Sequence, residues 1–166
     1  MIETRELTAD DWPVWRSLRL AALADAPDAF GARLADWQGD GDREERWRAR
    51  LSITGSVDLV AVVDGKPAGM ASGVPGPEQG VVELISLWVG PGARGRGVGD
   101  HLVRAVEDWA RRGGAEVLRL KVVPDNAPAI ALYRRNGLKV TGRRGEAGPG
   151  GRGEHVMAKR LPGRAP

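Results

Sequence analysis

The 166-residue sequence contains no cysteine, which excludes disulfide bonds, thiolate metal ligands and cysteine nucleophiles. Histidine occurs only at His101 and His155, too few for a three-histidine metal site, so we expect no bound metal. Tyrosine and phenylalanine occur once each, as Tyr133 and Phe30, beside six tryptophans. Chemistry that depends on a cysteine side chain is therefore excluded for this protein.

Long hydrophobic runs are also missing. No stretch of 18 apolar residues occurs, so the sequence predicts no membrane-spanning helix and no membrane partner. The opening residues, MIETRELTADDW, are polar and acidic and lack the apolar centre of a signal peptide. The sequence therefore predicts a cytoplasmic protein.

A length of 166 residues suits one domain, because domains commonly contain about 100 to 200 residues. Apolar residues make up 42% of the chain, so a substantial core can form without disulfides or a structural metal. We expect residues 1–160 to form a single domain and residues 161–166 to form a flexible tail.

The net charge of +3 conceals a strong asymmetry along the chain. Residues 90–166 hold 16 basic and seven acidic side chains, a balance of +9, whereas residues 1–54 and 55–89 each carry −3. A basic half could bind a nucleic acid or a phosphorylated cofactor, and an acidic half could favour a cationic partner. Ordinary surface charge would produce the same counts.

Hydrophobic periodicity and turn residues predict a mixed α/β fold in the order β-α-α-β-β-β-α-β-α-β-β. An antiparallel meander leads into a parallel β-α-β crossover, with helices on both faces of the sheet. The predicted strands are Ile2–Leu7, Val57–Val63, Lys66–Val74, Val81–Val89, Glu116–Val123, Leu138–Thr141 and Glu154–Arg160, the last two flanking a Gly-rich linker over 142–153. The predicted helices run from Thr8 to Ala24, from Asp42 to Leu51, from Val98 to the Gly113-Gly114 pair, and from Asn126 to Gly137.

The segment Arg94–Gly99, with glycine at every second position, connects a predicted strand to a predicted helix. Glycine permits positive φ and lets a ligand approach the main chain, and successive N–H groups at a helix N-terminus bind anions. A dinucleotide fingerprint fails because its third glycine position is Asp100, and a P-loop fails because the only Gly-Lys pair precedes Pro67. A flexible linker is the alternative interpretation.

The spacing Arg94-x-x-Gly97-x-Gly99 resembles the acetyl-CoA signature of the GNAT N-acetyltransferase superfamily. Residues 123–138, VPDNAPAIALYRRNGL, are similar to the downstream motif of that superfamily, with an Asn after a strand and an Ala-x-x-Leu-Tyr helix. Residues Glu83–Val89 resemble its central strand. The resemblance covers residues 57–140 closely and implies a GNAT-like fold with a splayed central parallel pair of strands.

The resemblance also implies the residues that bind acetyl-CoA as co-substrate. Main-chain groups of Leu87 and Val89, with Trp88 between them, would bind the pantetheine arm. The amides of Arg94, Gly95, Arg96, Gly97, Val98 and Gly99 would hold the pyrophosphate. Asn126 would contact pantetheine, and Tyr133 would lie beside the thioester sulfur. Asp100 departs from the pattern, since it places an acid near the phosphates.

Two residues are candidates for catalysis. Glu83 is the candidate base, because an alkylamine with a pKa of about 10.4 is mostly protonated at neutral pH. Strand alternation predicts that Glu83 shares a face with Ile85, Leu87 and Val89. Action through an ordered water chain and an Arg-paired structural carboxylate are the alternatives. Tyr133 is the candidate acid or hydrogen-bond donor to the sulfur, with core packing as its alternative. The N–H of Val89 would stabilise the oxyanion by analogy with the superfamily.

The resemblance predicts an N-acetyltransferase, and without cysteine it favours direct transfer from CoA to a primary amine. A small-molecule amine is preferred to a protein N-terminus or lysine, because Lys121 stands where N-terminal acetyltransferases carry an acid. Acidic residues near Trp37 and Trp47 would suit a cationic amine. Alternatively, they form solvated Asp42–Arg46 and Glu44–Arg48 pairs.

A non-catalytic CoA-binding or nucleic-acid-binding module is the alternative from another class of function. Nucleic acid is disfavoured because no basic surface interleaved with aromatic residues is predicted. A homodimer is a family-level expectation.

Overall fold

The computed structural model describes residues 1–27, 33–147 and 153–162. Over these residues the order of strands and helices is the predicted one. The strands are β1 (Ile2–Glu6), β2 (Val57–Val63), β3 (Lys66–Pro75), β4 (Val81–Val89), β5 (Val117–Val122), β6 (Lys139–Ala147) and β7 (Gly153–Arg160). The helices are α1 (Trp12–Asp25), α2 (Glu44–Arg50), α3 (Val98–Arg112) and α4 (Ala127–Arg135).

The strands form one sheet in the order β1-β2-β3-β4-β5-β7-β6. Each described pair of neighbours is antiparallel except β4 and β5, which run parallel and are connected by α3. Parallel strands require a crossover, and the strongly amphipathic α3 supplies it. The predicted meander and β-α-β crossover are therefore confirmed.

Strand β2 shows how the sheet divides the core into two layers. All of its residues are buried. Because side chains alternate along a strand, Leu59 and Ala61 pack beside α3, whereas Val60 and Val62 pack beside α1 and α2. Each fully buried Val or Leu side chain stabilises the fold by about 1.5 to 3 kcal/mol. We refer below to the α3 face, which also holds α4, and to the α1 face, which also holds α2.

The C-terminal strands differ from the prediction at one end. Strand β6 was expected to end at Thr141, but it continues to Ala147, since pairing with β7 satisfies its main-chain groups despite a glycine- and arginine-rich sequence. The predicted linker over 142–153 is therefore wrong for residues 142–147 and 153, and residues 148–152 lie outside the described ranges. Leu161, predicted to begin the tail, is 3% exposed and its N–H donates to the Glu116 carbonyl at 2.8 Å.

The parallel pairing of β4 with β5 is short. Residues 81–83 of β4 pair with residues 117–119 of β5, and the pairing ends there although both strands continue. Residues 84–89 of β4 keep β3 as their partner strand. The central parallel pair is therefore splayed, as expected, and one edge of β4 is open beyond Glu83.

A β-bulge lies in β4 at the start of this open edge. Met70 and Ser72 of β3 are two residues apart, but their partners Trp88 and Ile85 are three residues apart. The extra residue is accommodated at Ser86, whose φ of +58° is rare for residues other than glycine. An inserted residue exchanges the faces on which the following side chains lie.

Among the helices of the described ranges, none has both the length and the apolar character required to cross a bilayer. Helix α3, with 15 residues, buries one face against the sheet and exposes a charged one.

Candidate cofactor and catalytic site

The end of β4 presents main-chain groups to the open edge. The N–H of Gly90 donates to the Ala68 carbonyl of β3 at 2.8 Å. Residues along a strand alternate in the edge to which their N–H and C=O point, so the main-chain groups of Val89 point away from β3. The Val89 carbonyl accepts a hydrogen bond from Nε of Arg94 at 3.0 Å. The Val89 N–H therefore lies at the open edge as a donor, and Leu87 lies two residues before it on the same face.

Trp88 is the predicted cofactor residue that the structure turns away from this edge. Its side chain is 9% exposed and packs in the core of the α1 face. Its indole N–H donates to Oδ2 of Asp25, the last residue of α1, at 3.0 Å. Trp88 therefore anchors the end of β4 to α1.

The loop before α3 has the open main chain that its sequence predicts. Gly95 and Gly97 adopt φ of +77° and +83°, and a Cβ added at either residue would meet no atom within 4 Å. Glycine is needed here for its backbone conformation, since nothing crowds the loop. Helix α3 begins at Val98, so its first N–H groups have no partner within the helix and face this loop. Positive φ at alternate residues just before a helix is typical of main-chain nests that bind anions, and we refer to Arg94–Gly99 as the nest.

Gly99 has another role. A Cβ added there would lie 3.0 Å from Cδ2 of Leu132 on α4. The missing side chain therefore allows α3 and α4 to pack closely, which places α4 beside the loop. Of the three glycines in the motif, two shape the loop and the third sets the distance between helices.

The two loop arginines are held by acids. Arg94 donates to Asp25 as well as to the Val89 carbonyl, and Arg96 donates to Asp64 at 3.2 Å. Hydrogen bonds from Trp88 and Arg94 hold the pKa of the Asp25 carboxyl below its usual value. Both guanidiniums are about half exposed, at 51% and 50%. They stand beside the nest without occupying its glycine surface.

Asp100, the departure from the expected motif, is turned toward α4. It accepts hydrogen bonds from Asn136 at 2.9 Å and from Arg135 at 3.2 Å. Burial by itself raises the pKa of Asp100, but these hydrogen bonds outweigh burial and hold the pKa below its usual value. Its negative charge is therefore matched locally by Arg135.

Helix α4 positions Asn126 and Tyr133, which are two helical turns apart and so lie on one side of it. Asn126 caps the helix, its Oδ1 accepting from the Ala129 N–H at 3.3 Å. Tyr133 is 8% exposed and packs in the core of the α3 face. Burial raises the pKa of its hydroxyl well above the usual value, so Tyr133 remains a protonated hydrogen-bond donor.

Glu83 is the last residue of β4 that pairs with β5, at the point where the two strands separate. Its carboxylate accepts from Arg119 at 2.9 Å and is 18% exposed. Arg119 is 12% exposed and also donates to Glu78 at 3.2 Å. The hydrogen bond to Glu83 is the main cause that raises the pKa of Arg119, so this guanidinium stays charged.

The predicted face of Glu83 is correct relative to Ile85 and wrong relative to Leu87 and Val89. Leu84, the next residue, packs on the α3 face, so Glu83 points toward the α1 face. Leu87 and Val89 pack on the α3 face, because the bulge at Ser86 breaks the alternation between them and Glu83. Glu83 thus lies on the opposite side of the sheet from Tyr133, and the open edge of β4 lies between these faces.

Several of the acids and indoles around α2 contact other side chains of the protein. Asp42 accepts from Nε and Nη2 of Arg16 at 2.8 and 2.5 Å and from the Trp47 indole at 2.7 Å. The hydrogen bond to Arg16 is the main reason that the pKa of Asp42 falls to about 2. The Arg46 guanidinium lies 3.6 Å from the centre of the Trp37 ring. These groups bind the chain's own arginines; the Glu44–Arg48 pair forms at 3.0 Å, whereas Asp42 bonds Arg16 instead of Arg46.

Sequence reasoning missed a buried polar cluster under the bulge. It comprises Arg50, Asp58, Ser72 and Ser86, which are connected by hydrogen bonds of 2.6 to 3.3 Å. The signal in the sequence was Asp58, a carboxylate inside the apolar run of β2. Arg119 and Asp25 were also missed, because only the tertiary structure brings them to Glu83 and Arg94.

A cavity of about 600 Å³ lies at the other end of α3. It is lined by residues that include Trp109, Gly113 and Glu116. Because α3 has 15 residues and rises 1.5 Å per residue, this cavity is roughly 20 Å from the loop. It contains none of the predicted site residues.

The sequence profile of the acetyltransferase (GNAT) family matches residues 6–138. The aminoglycoside N(6')-acetyltransferase type 1 of Stenotrophomonas maltophilia is 30% identical over 84% of this chain and 87% of its own length. The streptothricin acetyltransferase of Streptomyces lavendulae is 37% identical over 63% of this chain, which spans 57% of that relative's length. The chain belongs to the GNAT acetyltransferase family.

Solved structures support the same relationship. The protein yncA from Salmonella typhimurium, solved with its cofactor acetyl-CoA, is 26% identical and superposes with a TM-score of 0.77. That superposition covers 100% of this chain and 97% of the Salmonella protein. The predicted family and fold are therefore confirmed.

The left-handed conformation of Gly97 yields a first testable prediction. In Gly97→Ala the new Cβ meets no neighbour, but φ of +83° is unfavourable for alanine, so the free energy of unfolding should fall by about 1 kcal/mol. We also expect weaker binding of coenzyme A by calorimetry, because the loop N–H groups lose their arrangement. Gly92→Ala is the matched control: its Cβ is equally unobstructed and its φ is not positive. Equal stability of the two variants would contradict the prediction.

Proposed function

We propose that this protein is an acetyl-CoA-dependent N-acetyltransferase that transfers the acetyl group directly to a primary amine of a small molecule. The observation that carries the proposal is the open edge of β4 ending beside the Gly95–Gly97 loop and the N-terminus of α3. This arrangement offers a strand edge for an extended amide-containing arm and an anion nest for a diphosphate.

The residues present fit acetyl-CoA. The unobstructed glycine surface of the loop and the first N–H groups of α3 would hold the pyrophosphate, and the exposed arginines Arg94 and Arg96 add positive charge beside it. The main-chain groups of Leu87 and Val89 would bind the pantetheine arm at the open edge. The amide of Asn126, at the start of α4, would contact the same arm.

Bound acetyl-CoA supplies an activated thioester, so that a carbon–nitrogen bond forms, the carbon–sulfur bond breaks and the amine loses a proton. The chain must then stabilise an oxyanion, receive the amine proton and support the departing sulfur. The absence of cysteine excludes an acetyl-cysteine intermediate, which favours direct transfer. The Val89 N–H is the proposed oxyanion donor.

Glu83 is the proposed base, acting directly or through an ordered water. It lies at the point of strand separation and is partly exposed, and Arg119 holds its carboxylate in place. Its position on the α1 face implies that the amine approaches from the side of α1 and α2. Donor and acceptor would then meet across the open edge of β4.

Tyr133 is the proposed hydrogen-bond donor to the departing sulfur. A phenol with a pKa of about 10 is a weaker acid than a thiol at about 8.5, so complete proton transfer is uphill by ~2 kcal/mol. Burial raises the pKa of Tyr133 further, which makes full transfer still less favourable. Donation of a hydrogen bond without transfer is consistent with this environment.

The relatives support a small-molecule acceptor, since two of them are named for streptothricin and aminoglycosides. In the predicted amine pocket Asp42, Glu44 and Glu45 are paired with arginines, so we propose that recognition of the amine rests on Glu83. A protein acceptor would need a groove for an extended peptide beside this edge.

The proposed function predicts release of free coenzyme A when the protein is supplied with acetyl-CoA and a suitable amine. A thiol-release assay across small amines, aminoglycosides and peptides should give saturable turnover with small amines and little with peptides. Turnover with peptides alone would contradict the small-molecule assignment. Absence of acetyl-CoA binding by calorimetry would contradict the function itself.

Replacing Tyr133 by Phe keeps the buried ring and removes the hydroxyl. A hydrogen bond to a charged group contributes about 1.5 to 3 kcal/mol, so kcat should fall roughly 10- to 100-fold. The affinity for acetyl-CoA should change little, because packing is retained. The test compares kcat and the calorimetric Kd for acetyl-CoA between Tyr133→Phe and the unaltered protein. An unchanged kcat would mean that Tyr133 only packs in the core.

Replacing Glu83 by Gln should lower kcat by about 10²-fold near neutral pH. The deficit should shrink as the pH rises toward the pKa of the amine, because more free amine is then present and the base is needed less. Glu78→Gln is the matched control, since Glu78 also accepts from Arg119 but is exposed. The measurement is the dependence of kcat on pH for both variants. An equal loss of kcat in both would assign the effect to the position of Arg119. An unaltered profile for Glu83→Gln would eliminate Glu83 as the base.

A further inference from the structure

Asp58 is a buried carboxylate in the middle of the sheet. It is 3% exposed and pairs with Ser72 of β3, which is 0% exposed. The Ser72 hydroxyl donates to Asp58 at 2.6 Å, and Nη1 of Arg50 donates to the same carboxylate at 2.8 Å. A buried charge requires a partner, and Arg50, whose side chain is 14% exposed, supplies it from the end of α2.

The other end of the same guanidinium reaches the bulge. Nη2 of Arg50 lies 3.0 Å from the Ser72 hydroxyl and 3.3 Å from the Ser86 hydroxyl. The face of the guanidinium lies over the Trp15 ring, 4.9 Å from its centre. Arg50 is therefore held in one orientation by groups from α1, β2 and β3, with one donor directed at Ser86.

Ser86 has a backbone conformation that serine does not favour. Apart from glycines, it shares a positive φ only with Asp64 of a hairpin turn among the described residues. Such conformations persist where the surrounding structure compensates for them, and they cluster at functional sites. At this position the Ser86 hydroxyl accepts a hydrogen bond from Arg50.

The bulge decides which main-chain groups reach the open edge. If β4 kept its sequence but paired with β3 without a bulge, each residue after Ser86 would pair one residue further along β3, which exchanges the face and the edge to which it points. The Val89 N–H would then point toward β3, and Trp88 would lose its place beside Asp25. The bulge is thus a condition for placing the proposed oxyanion donor.

We propose that Arg50 is a positioning residue for acetyl transfer: it holds Ser86 in the left-handed conformation and thereby aims the Val89 N–H at the open edge of β4. This inference rests on the proposed function for its link to catalysis. Arg50 itself lies on the α1 face of the sheet and would influence catalysis only through Ser86 and the bulge.

The test is a rescue experiment with Arg50→Lys. Lysine keeps the positive charge beside Asp58, but a single ammonium group cannot bridge Asp58 and Ser86 as the fork of arginine does. We expect kcat/KM for acetyl-CoA, measured on folded protein, to fall about tenfold. Adding Ser86→Gly should restore most of the loss, because glycine adopts positive φ without support. Adding Ser86→Ala instead should not restore it.

The Gly and Ala double variants differ by one methyl group, so they separate backbone conformation from a loss of the hydroxyl. Unchanged kcat/KM in folded Arg50→Lys, or equal rescue by Ala and Gly, would overturn the proposal. If Arg50→Lys does not fold, the single variants Ser86→Ala and Ser86→Gly carry the same comparison, with a loss expected only for Ala.

A second readout does not depend on turnover. The amide resonances of residues 86–89 in ¹⁵N–¹H spectra should shift in Arg50→Lys and return toward their original positions when Ser86→Gly is added. If the unaltered protein shows no turnover with any amine, the proposed function fails, and these resonances still decide whether Arg50 holds the bulge. Unshifted resonances would overturn the positioning role whatever the activity.

Discussion

The candidate site depends on the early end of the pairing between β4 and β5. Three residues of each strand pair, and then the strands separate at Glu83 and Arg119. A sheet edge that opens in the middle of a sheet leaves main-chain donors and acceptors without strand partners, and such groups require a ligand or water. The splay therefore leaves main-chain groups at the end of β4 available for the proposed ligand.

The parts around this edge have different physical roles. Gly95 and Gly97 shape the loop whose main chain is the proposed anion site, while Gly99 sets the approach of α4 and so the position of Tyr133. The side chains of Arg94 and Arg96 are held by Asp25 and Asp64 at its border. Because these arginines are already bonded to acids, recognition of a phosphate by main-chain N–H groups suits this loop.

Much of the architecture followed from local patterns. Strands β2 and β4 begin and end at the predicted residues, because each is an apolar run bounded by turns. The helix after the loop begins at the predicted Val98, since Gly97 is its N-terminal cap. Strand β6 extended further than predicted, because its pairing with β7 is a long-range effect that propensity does not contain.

The site was predicted less completely, and the errors share a cause. Alternation along β4 placed Glu83 with Leu87, but the bulge at Ser86 separates them, and its support comes from Arg50, which is 36 residues away in sequence. The acids near Trp47 were candidates for a ligand until the fold brought Arg16 to Asp42. Both outcomes depend on hydrogen bonds between residues that are distant in the sequence, and local sequence patterns do not specify such contacts.

By itself the sequence determined the order of elements, the glycine loop before α3, the single tyrosine on α4 and the exclusion of thiol chemistry. These features depend on backbone preferences, hydrophobic period and composition, all of which act over a few residues. Only the tertiary structure decided the face of Glu83, the partners of the loop arginines and the hydrogen-bond partners of Asp58. These depend on hydrogen bonds between distant elements, whose geometry exists only after the sheet and helices have packed.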